Sequence, residues 1–308
     1  MIQLSCTVVR SNDGSGNVVK EDIEIDVDSN AKEVDLTRRR LLSVANFELI
    51  PNLEMLTLRW NLLKKIEHIN GLHRLTKLSL YDNQITKIEN LSDLPNLVVL
   101  DLSYNRISKI EGLDTLTDLK ELYLTKNKLT KIEGLDKLKS LEVLELGDNH
   151  LMKIENLEML TNLRKLFLGA NQITKIEGLC TLRKLVVLSF IGNGIRHIEG
   201  LGSLTCLVDL ALAQNGIKRI TGLHKNVALA TLDLNDNQIE TIENLHHLIN
   251  LKTLWIRKNR ISNWTEIAYL NRLPALRDVT LEMNPIFRYC RMVFVTFDLT
   301  FLFTAYSF

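Results

Sequence analysis

Leu141-Glu142-Val143-Leu144-Glu145-Leu146-Gly147-Asp148-Asn149 decides how the chain is read, because the same nine-residue frame recurs along nearly its whole length. Asparagine closes the frame at Asn61, Asn83, Asn105, Asn127, Asn149, Asn171, Asn193, Asn215, Asn237 and Asn259 in steps of 22 residues, and again at Asn284 after a step of 25. Such fixed periodicity belongs to chains that stack one supersecondary unit on the next. It overrides the two-globule expectation that 308 residues would otherwise carry and points to one elongated domain.

Counted from the asparagine, leucine-like residues lie eight, five and three positions before it and two, five, eight and eleven after it. Around Asn171 these are Leu163, Leu166, Leu168, Ile173, Ile176, Leu179 and Leu182. The Leu-x-Leu pair has the period of two of a short β-strand. The later steps of three suit a 3₁₀-like turn, which also fits a repeat this short. At roughly 1.5–3 kcal/mol per buried aliphatic side chain, each coil gains enough to drive stacking but too little to stand alone. The asparagine closes the account: a sharp turn after the strand leaves backbone groups without ladder partners, and an amide offers both donors and an acceptor to them.

The register predicts a solenoid over residues 31–286 with about 11–12 repeats. Its first turn carries Val34, Leu36, Leu41 and Val44, with Arg39 in place of the asparagine. Residues 1–30 lie outside the register and include the acidic run Glu21-Asp-Ile-Glu-Ile-Asp-Val-Asp28; they are expected as a partly disordered leader or a polar cap. Residues 287–308 are aromatic-rich and apolar, interrupted by Asp298, and read as a divergent or truncated cap.

Composition excludes several classes of function. Lys+Arg and Asp+Glu number 38 and 37, so no net field attracts nucleic acid or an anionic membrane. Cys6, Cys180, Cys206 and Cys290 show neither metal spacing nor a disulfide framework, which favours a reducing compartment. Met1 to Val9 lacks the layout of a signal peptide, and no apolar run reaches the length of a membrane span. His68, His73, His150, His197 and His224 fall at different offsets, so stacking does not gather them into a metal or acid–base site. No phosphate-binding glycine loop or nucleophile elbow is present, and no catalytic residue, metal or cofactor is expected. Lys87, Lys109, Lys131, Lys153 and Lys175 run beside Glu89, Glu111, Glu133, Glu155 and Glu177; the sober reading is a solvated wall of alternating charge, not a cation site.

The informative column is the x of Leu-x-Leu, which alternation turns onto the open face of the sheet. It reads Thr57, Ser79, Asp101, Tyr123, Glu145, Phe167, Ser189, Ala211, Asp233, Trp255, Thr280. Folding alone does not ask for Phe167 and Trp255 at such positions, whereas exposed rings beside carboxylates are what a protein-binding surface uses. Asp101, Tyr123, Glu145, Phe167, Asp233 and Trp255 are the candidate partner-binding residues.

The pattern Leu-x-x-Leu-x-Leu-x-x-Asn-x-Ile/Leu is that of the leucine-rich repeat. With the phrases Lys109-Ile-Glu-Gly-Leu113, Lys131-Ile-Glu-Gly-Leu135, Lys153-Ile-Glu-Asn-Leu157 and Lys175-Ile-Glu-Gly-Leu179, the chain resembles the regulatory subunit 7 family of type-1 protein phosphatase. The resemblance implies an α/β leucine-rich-repeat solenoid, with a parallel β-sheet on the concave face and short 3₁₀ or helical turns on the convex face. It also implies a non-catalytic regulator whose concave column holds the type-1 phosphatase catalytic subunit, with room for a further inhibitor protein, in nucleus and cytoplasm. The chain is expected as a monomer that binds neither nucleic acid nor membrane. Asp101, Glu145, Phe167, Asp233 and Trp255 match that family's residues, and Tyr123 stands where it typically has phenylalanine. Thr253 and Thr280 depart from it, replacing an acid and an aromatic. The other reading is a structural adaptor of the same fold for cytoskeletal, ciliary or RNA-processing proteins.

Overall fold

The structure is a computed structural model that describes residues 1–12 and 18–286; the expected cap at 287–308, with Cys290, lies outside them. Its architecture is the parallel-sheet solenoid of about eleven turns that the periodicity implies. The chain separates into two compact units, Met1–His150 and Leu151–Phe308.

The first unit opens with β1 (Ile2–Asn12) and β2 (Val18–Val27), then β3 (Glu33–Asp35) and β4 (Leu41–Ala45). There follow β5 (Met55–Thr57), β6 (Lys77–Ser79), β7 (Val99–Asp101), β8 (Glu121–Tyr123) and β9 (Val143–Glu145). Strands β3, β5, β6, β7, β8 and β9 pair in that order, all parallel, each offset by one repeat. Residues 2–12 and 18–27, read from the sequence as a leader or polar cap, form an antiparallel hairpin, and β1 pairs also with β4 of the first turn. Alternation buries Leu4, Cys6 and Val8 on one face of β1 and leaves Gln3 and Ser5 exposed on the other. Burial pushes the Cys6 thiol up to about 11, so it behaves as a small apolar side chain.

The second unit carries β10 (Lys165–Phe167), β11 (Val187–Ser189), β12 (Asp209–Ala211), β13 (Thr231–Asp233), β14 (Thr253–Trp255) and β15 (Asp278–Thr280). They too pair in parallel and in sequence order. The longer step to Asn284 accommodates a 3₁₀ segment, Trp264–Arg272, whose start is capped by Asn263 accepting from the Thr265 N–H at 3.0 Å.

Two local devices make each turn. The leucine steps of three carry bonds between residues three apart, as in Leu116 N–H to Leu113 C=O (3.0 Å) and Leu119 N–H to Leu116 C=O (3.1 Å). The asparagine then ties the turn to the one before it. Asn149 Oδ1 accepts from the Leu129 N–H at 3.0 Å, and its Nδ2 donates to the carbonyls of Leu124 and Leu146, each at 3.0 Å. Asn61, Asn83, Asn105, Asn127, Asn237, Asn259 and Asn284 repeat the arrangement and are buried.

The Gly/Asn of the repeated Lys-Ile-Glu-Gly/Asn-Leu phrase has a physical cause. The backbone there is left-handed, φ +69° at Gly112 and +60° at Asn90. A Cβ on Gly112 would come within 2.8 Å of the Ile88 carbonyl oxygen. Where asparagine takes the position, its amide uses that proximity: Asn90 Nδ2 donates to the Ile66 carbonyl at 2.6 Å and Asn244 Nδ2 to that of Ile220 at 2.9 Å.

Candidate functional site

The parallel register sets the x residues of neighbouring strands directly beside one another. In the first unit Asp101 pairs with Tyr123 and Tyr123 with Glu145. In the second, Phe167 pairs with Ser189, Ala211 with Asp233, and Asp233 with Trp255. The candidate residues therefore form one run of three and one pair, and Phe167 is separated from that pair by two small residues.

Their environments differ more than their shared offset suggests. Asp101 is buried, and Arg59 Nη2 donates to its Oδ2 at 3.1 Å. Arg59 Nε donates to Ser79 Oγ at 2.7 Å, Ser79 Oγ donates to the same Asp101 oxygen at 3.2 Å, and the Ser103 N–H donates to the other carboxylate oxygen at 3.2 Å. Asp101 is thus satisfied from within its own unit. Tyr123 is half-buried, and its hydroxyl donates to Glu121 Oε2 at 2.7 Å. Burial pushes the phenol pKa up, and the bond to Glu121 and the nearby carboxylates of Glu145 and Asp101 push it further in the same direction. Glu145 is half-buried and has no ion-pair partner among the described residues. A depression of about 440 Å³ lies over this stretch, lined by Arg59, Tyr81, Asp101, Tyr104, Tyr123 and Glu145.

In the second unit Phe167 is half-buried, and Trp255 is exposed at 39%. Asp233 accepts from the Asn235 N–H at 3.0 Å and has no cation partner among the described residues. Burial raises its pKa and Asp236 adds to the rise, against the lowering effect of that single N–H bond. At Thr280 the hydroxyl is buried without a hydrogen-bond partner among the described residues.

The remaining charges are structural. Lys109 lies 3.2 Å from Glu111 and Lys175 3.1 Å from Glu177, each lysine pairing with the carboxylate two residues on. Among the described residues no group of histidine, cysteine or carboxylate side chains could hold a metal ion, and no helix is long and apolar enough to cross a membrane. Sequence reasoning missed the Arg59–Asp101 pair, which spans two turns, and a row of touching rings, Trp60, Tyr81 and Tyr104, at the edge of the sheet. The available signal was that Trp60, Tyr81 and Tyr104 all fall one or two residues before an asparagine of the ladder.

Comparison with known proteins agrees with this geometry. The models for leucine-rich repeats match residues 51–107, 95–137, 139–181 and 227–269. No curated protein matches the chain at a significant level. Among solved structures, an internalin of Listeria monocytogenes is 26% identical, with 87% of this chain and 84% of that chain covered and a TM-score of 0.69. A leucine-rich-repeat protein of Leptospira interrogans is 25% identical, with 78% and 69% covered and a TM-score of 0.66. Internalin C2 of Listeria monocytogenes is 32% identical, with 62% of this chain and 84% of that chain covered and a TM-score of 0.58. The chain belongs to the leucine-rich repeat proteins and is a scaffold for protein–protein contact.

Proposed function

We propose that this chain is a non-catalytic regulatory subunit that holds the type-1 serine/threonine phosphatase catalytic subunit against the open face of its sheet. The observation that carries the reading is the state of the x column. Glu145 in the first unit and Asp233 in the second carry carboxylates with no internal cation among the described residues, and Phe167 and Trp255 set rings at the same offset of the second unit's strands. Leaving carboxylates partly desolvated and unpaired costs free energy that a basic partner surface recovers. The rings supply the area that such an interface buries. In this reading Tyr123, Glu145, Phe167, Asp233 and Trp255 touch the partner, and Asp101, already held by Arg59, braces the column. The resemblance of the Lys-Ile-Glu-Gly/Asn-Leu phrases to the phosphatase-regulator family supports the choice of partner, with a further inhibitor protein as an optional third component. The monomeric chain would act in nucleus and cytoplasm, and catalysis would belong to the partner.

Affinity capture tests the proposal, with the wild-type chain beside a Phe167→Ala/Trp255→Ala double variant. Retention of a type-1 phosphatase catalytic subunit by the wild type and its loss with the variant is the expected result. No retention by the wild type, or equal retention by both, removes the reading.

A further inference from the structure

The residue before each ladder asparagine, and Arg38 before Arg39 in the first turn, has a left-handed backbone: φ is +58° at Arg38, +53° at Trp60, +54° at Asp82, +58° at Tyr104, +57° at Lys126 and +52° at Asp148. Glycine, asparagine and aspartate tolerate that conformation best, and a bulky side chain there is strained. Asp82 and Asp148 are what the turn favours; tryptophan and tyrosine are what it disfavours. Yet Trp60 and Tyr104 occupy two of these positions and remain 39% and 38% exposed, so burial does not repay the strain. The turn imposes this backbone in the other repeats too, on Ala170, Gln214, Lys258 and Met283, so what sets Trp60 and Tyr104 apart is that they hold large rings there in the open.

The rings are ordered. Trp60 and Tyr81 meet edge to face with centroids 5.6 Å apart, and Tyr81 and Tyr104 lie 4.8 Å apart. A cation sits over each: the Arg38 guanidinium 4.4 Å from the Trp60 centroid, that of Arg59 5.7 Å from Tyr81, and the Lys126 ammonium 5.0 Å from Tyr104. Around this row Arg38, Arg39, Arg40, Arg106, Lys126 and Lys128 are all exposed. The neighbouring carboxylates are Asp35, beside Arg59 and Arg39, Asp82 and Asp148 on the rim, the latter 3.8 Å from Lys126, and Asp101, which is taken up by Arg59. The rim of the first unit is therefore basic although the chain as a whole is near neutral.

We propose that this rim, which adjoins the open-face column at the depression that Arg59, Tyr81 and Tyr104 share with Tyr123 and Glu145, docks an extended, carboxylate-rich segment of a partner protein. Rings that carry Arg38 and Lys126 hold those cations in place, Lys126 with Asp148 as an exposed neighbour, so less side-chain freedom is lost when a further carboxylate arrives. The same covering argues against single-stranded nucleic acid, whose bases need uncovered ring faces to stack on. From Arg38 to Lys126 the rim spans four repeat steps of about 4.8 Å, or about 19 Å. That length accommodates roughly six residues of extended chain.

The test uses the full chain and a fluorescein-labelled eight-residue peptide of alternating Asp/Glu and Ser, read by anisotropy at low and moderate salt. A matched peptide with Asn/Gln for Asp/Glu and an eight-nucleotide oligothymidylate serve as competing probes. Salt-sensitive binding of the acidic peptide alone is expected, weakened about tenfold in Arg38→Gln/Lys126→Gln and in Trp60→Asn/Tyr104→Asn. The thermal midpoint of Trp60→Asn/Tyr104→Asn should hold or rise, because asparagine relieves the left-handed strain. Phe167→Ala/Trp255→Ala should bind the peptide as the wild type does, which separates this surface from the rings of the second unit. Failure of the wild type to bind, equal binding of the neutral peptide, tighter binding of the oligonucleotide, or undiminished binding by Arg38→Gln/Lys126→Gln would each overturn the proposal.

Discussion

Arg59 and Asp101 are joined across two turns of the stack: the guanidinium donates to the carboxylate at 3.1 Å, and Ser79, on the strand between them, bonds to both. The pair sets Asp101 apart from the other acids of its column. Removing Arg59 leaves the Asp101 carboxylate in a largely dehydrated place, and removing Asp101 takes from Arg59 and Ser79 their shared acceptor, so Asp101→Ala and Arg59→Ala should each cost on the order of 1–2 kcal/mol. The double variant should cost clearly less than the sum. Urea melts of the four proteins give the coupling, and strict additivity would mean that the two side chains do not support each other.

The ladder makes a larger claim. Asn149 bonds one N–H and two carbonyls from inside the stack, and alanine in its place would orphan those groups. Asn149→Ala should cost about 1–3 kcal/mol. A denaturation midpoint equal to that of the wild type would count against the role assigned to the amide.

Asn226 stands where other repeats place a core leucine, eleven residues after Asn215 as Leu182 follows Asn171. It is wholly buried, and Nδ2 donates to the carbonyls of Leu201 (3.0 Å) and Leu204 (2.9 Å), but Oδ1 has no partner among the described residues. Those carbonyls already accept from the Leu204 and Leu207 N–H groups, so they do not depend on the amide. Asn226→Leu should therefore raise stability by about 1–2 kcal/mol, by removing a buried acceptor that nothing satisfies. Thermal melts beside the wild type decide it.

Burial holds the Asp233 pKa above its unfolded value, so in the interval between the two the native state binds more protons than the unfolded one. Stability is then lost as pH rises through that interval and regained on acidification. Asp233→Asn should be more stable than the wild type at neutral pH, with the difference fading below about pH 4, near the unperturbed carboxylate value. A stability difference independent of pH would show that the charge is not its source.

The solenoid was legible because its strand, core positions and turn are written once per repeat. Leu144, Leu146 and Asn149 fix strand, core and turn by their spacing, and the same spacing elsewhere repeats the statement. The site was legible only as a column, since offset tells which side chains share a face and not what each one touches there. Asp101 and Glu145 look alike in sequence; Arg59, 42 residues before Asp101 and at another offset, makes them different. The hairpin of β1 and β2 was hidden for the opposite reason: it belongs to no repeat, and the acidic run on β2 resembles a solvated tail unless its pairing with β1 is seen.

The ladder asparagines reach backward, in the 22-residue repeats to residues 20 and 25 positions earlier, as Asn149 does to Leu129 and Leu124, and at Asn284 to residues 23 and 28 positions earlier. Under mechanical load this makes a single turn the natural quantum of yielding. A turn peeled from the stack carries its own amide away and leaves the earlier one still clamped. One repeat of 22 residues, drawn straight at no more than about 3.6 Å per residue, lengthens the chain by roughly 75–80 Å. A sawtooth of that period under traction would be the mechanical signature of the asparagine ladder.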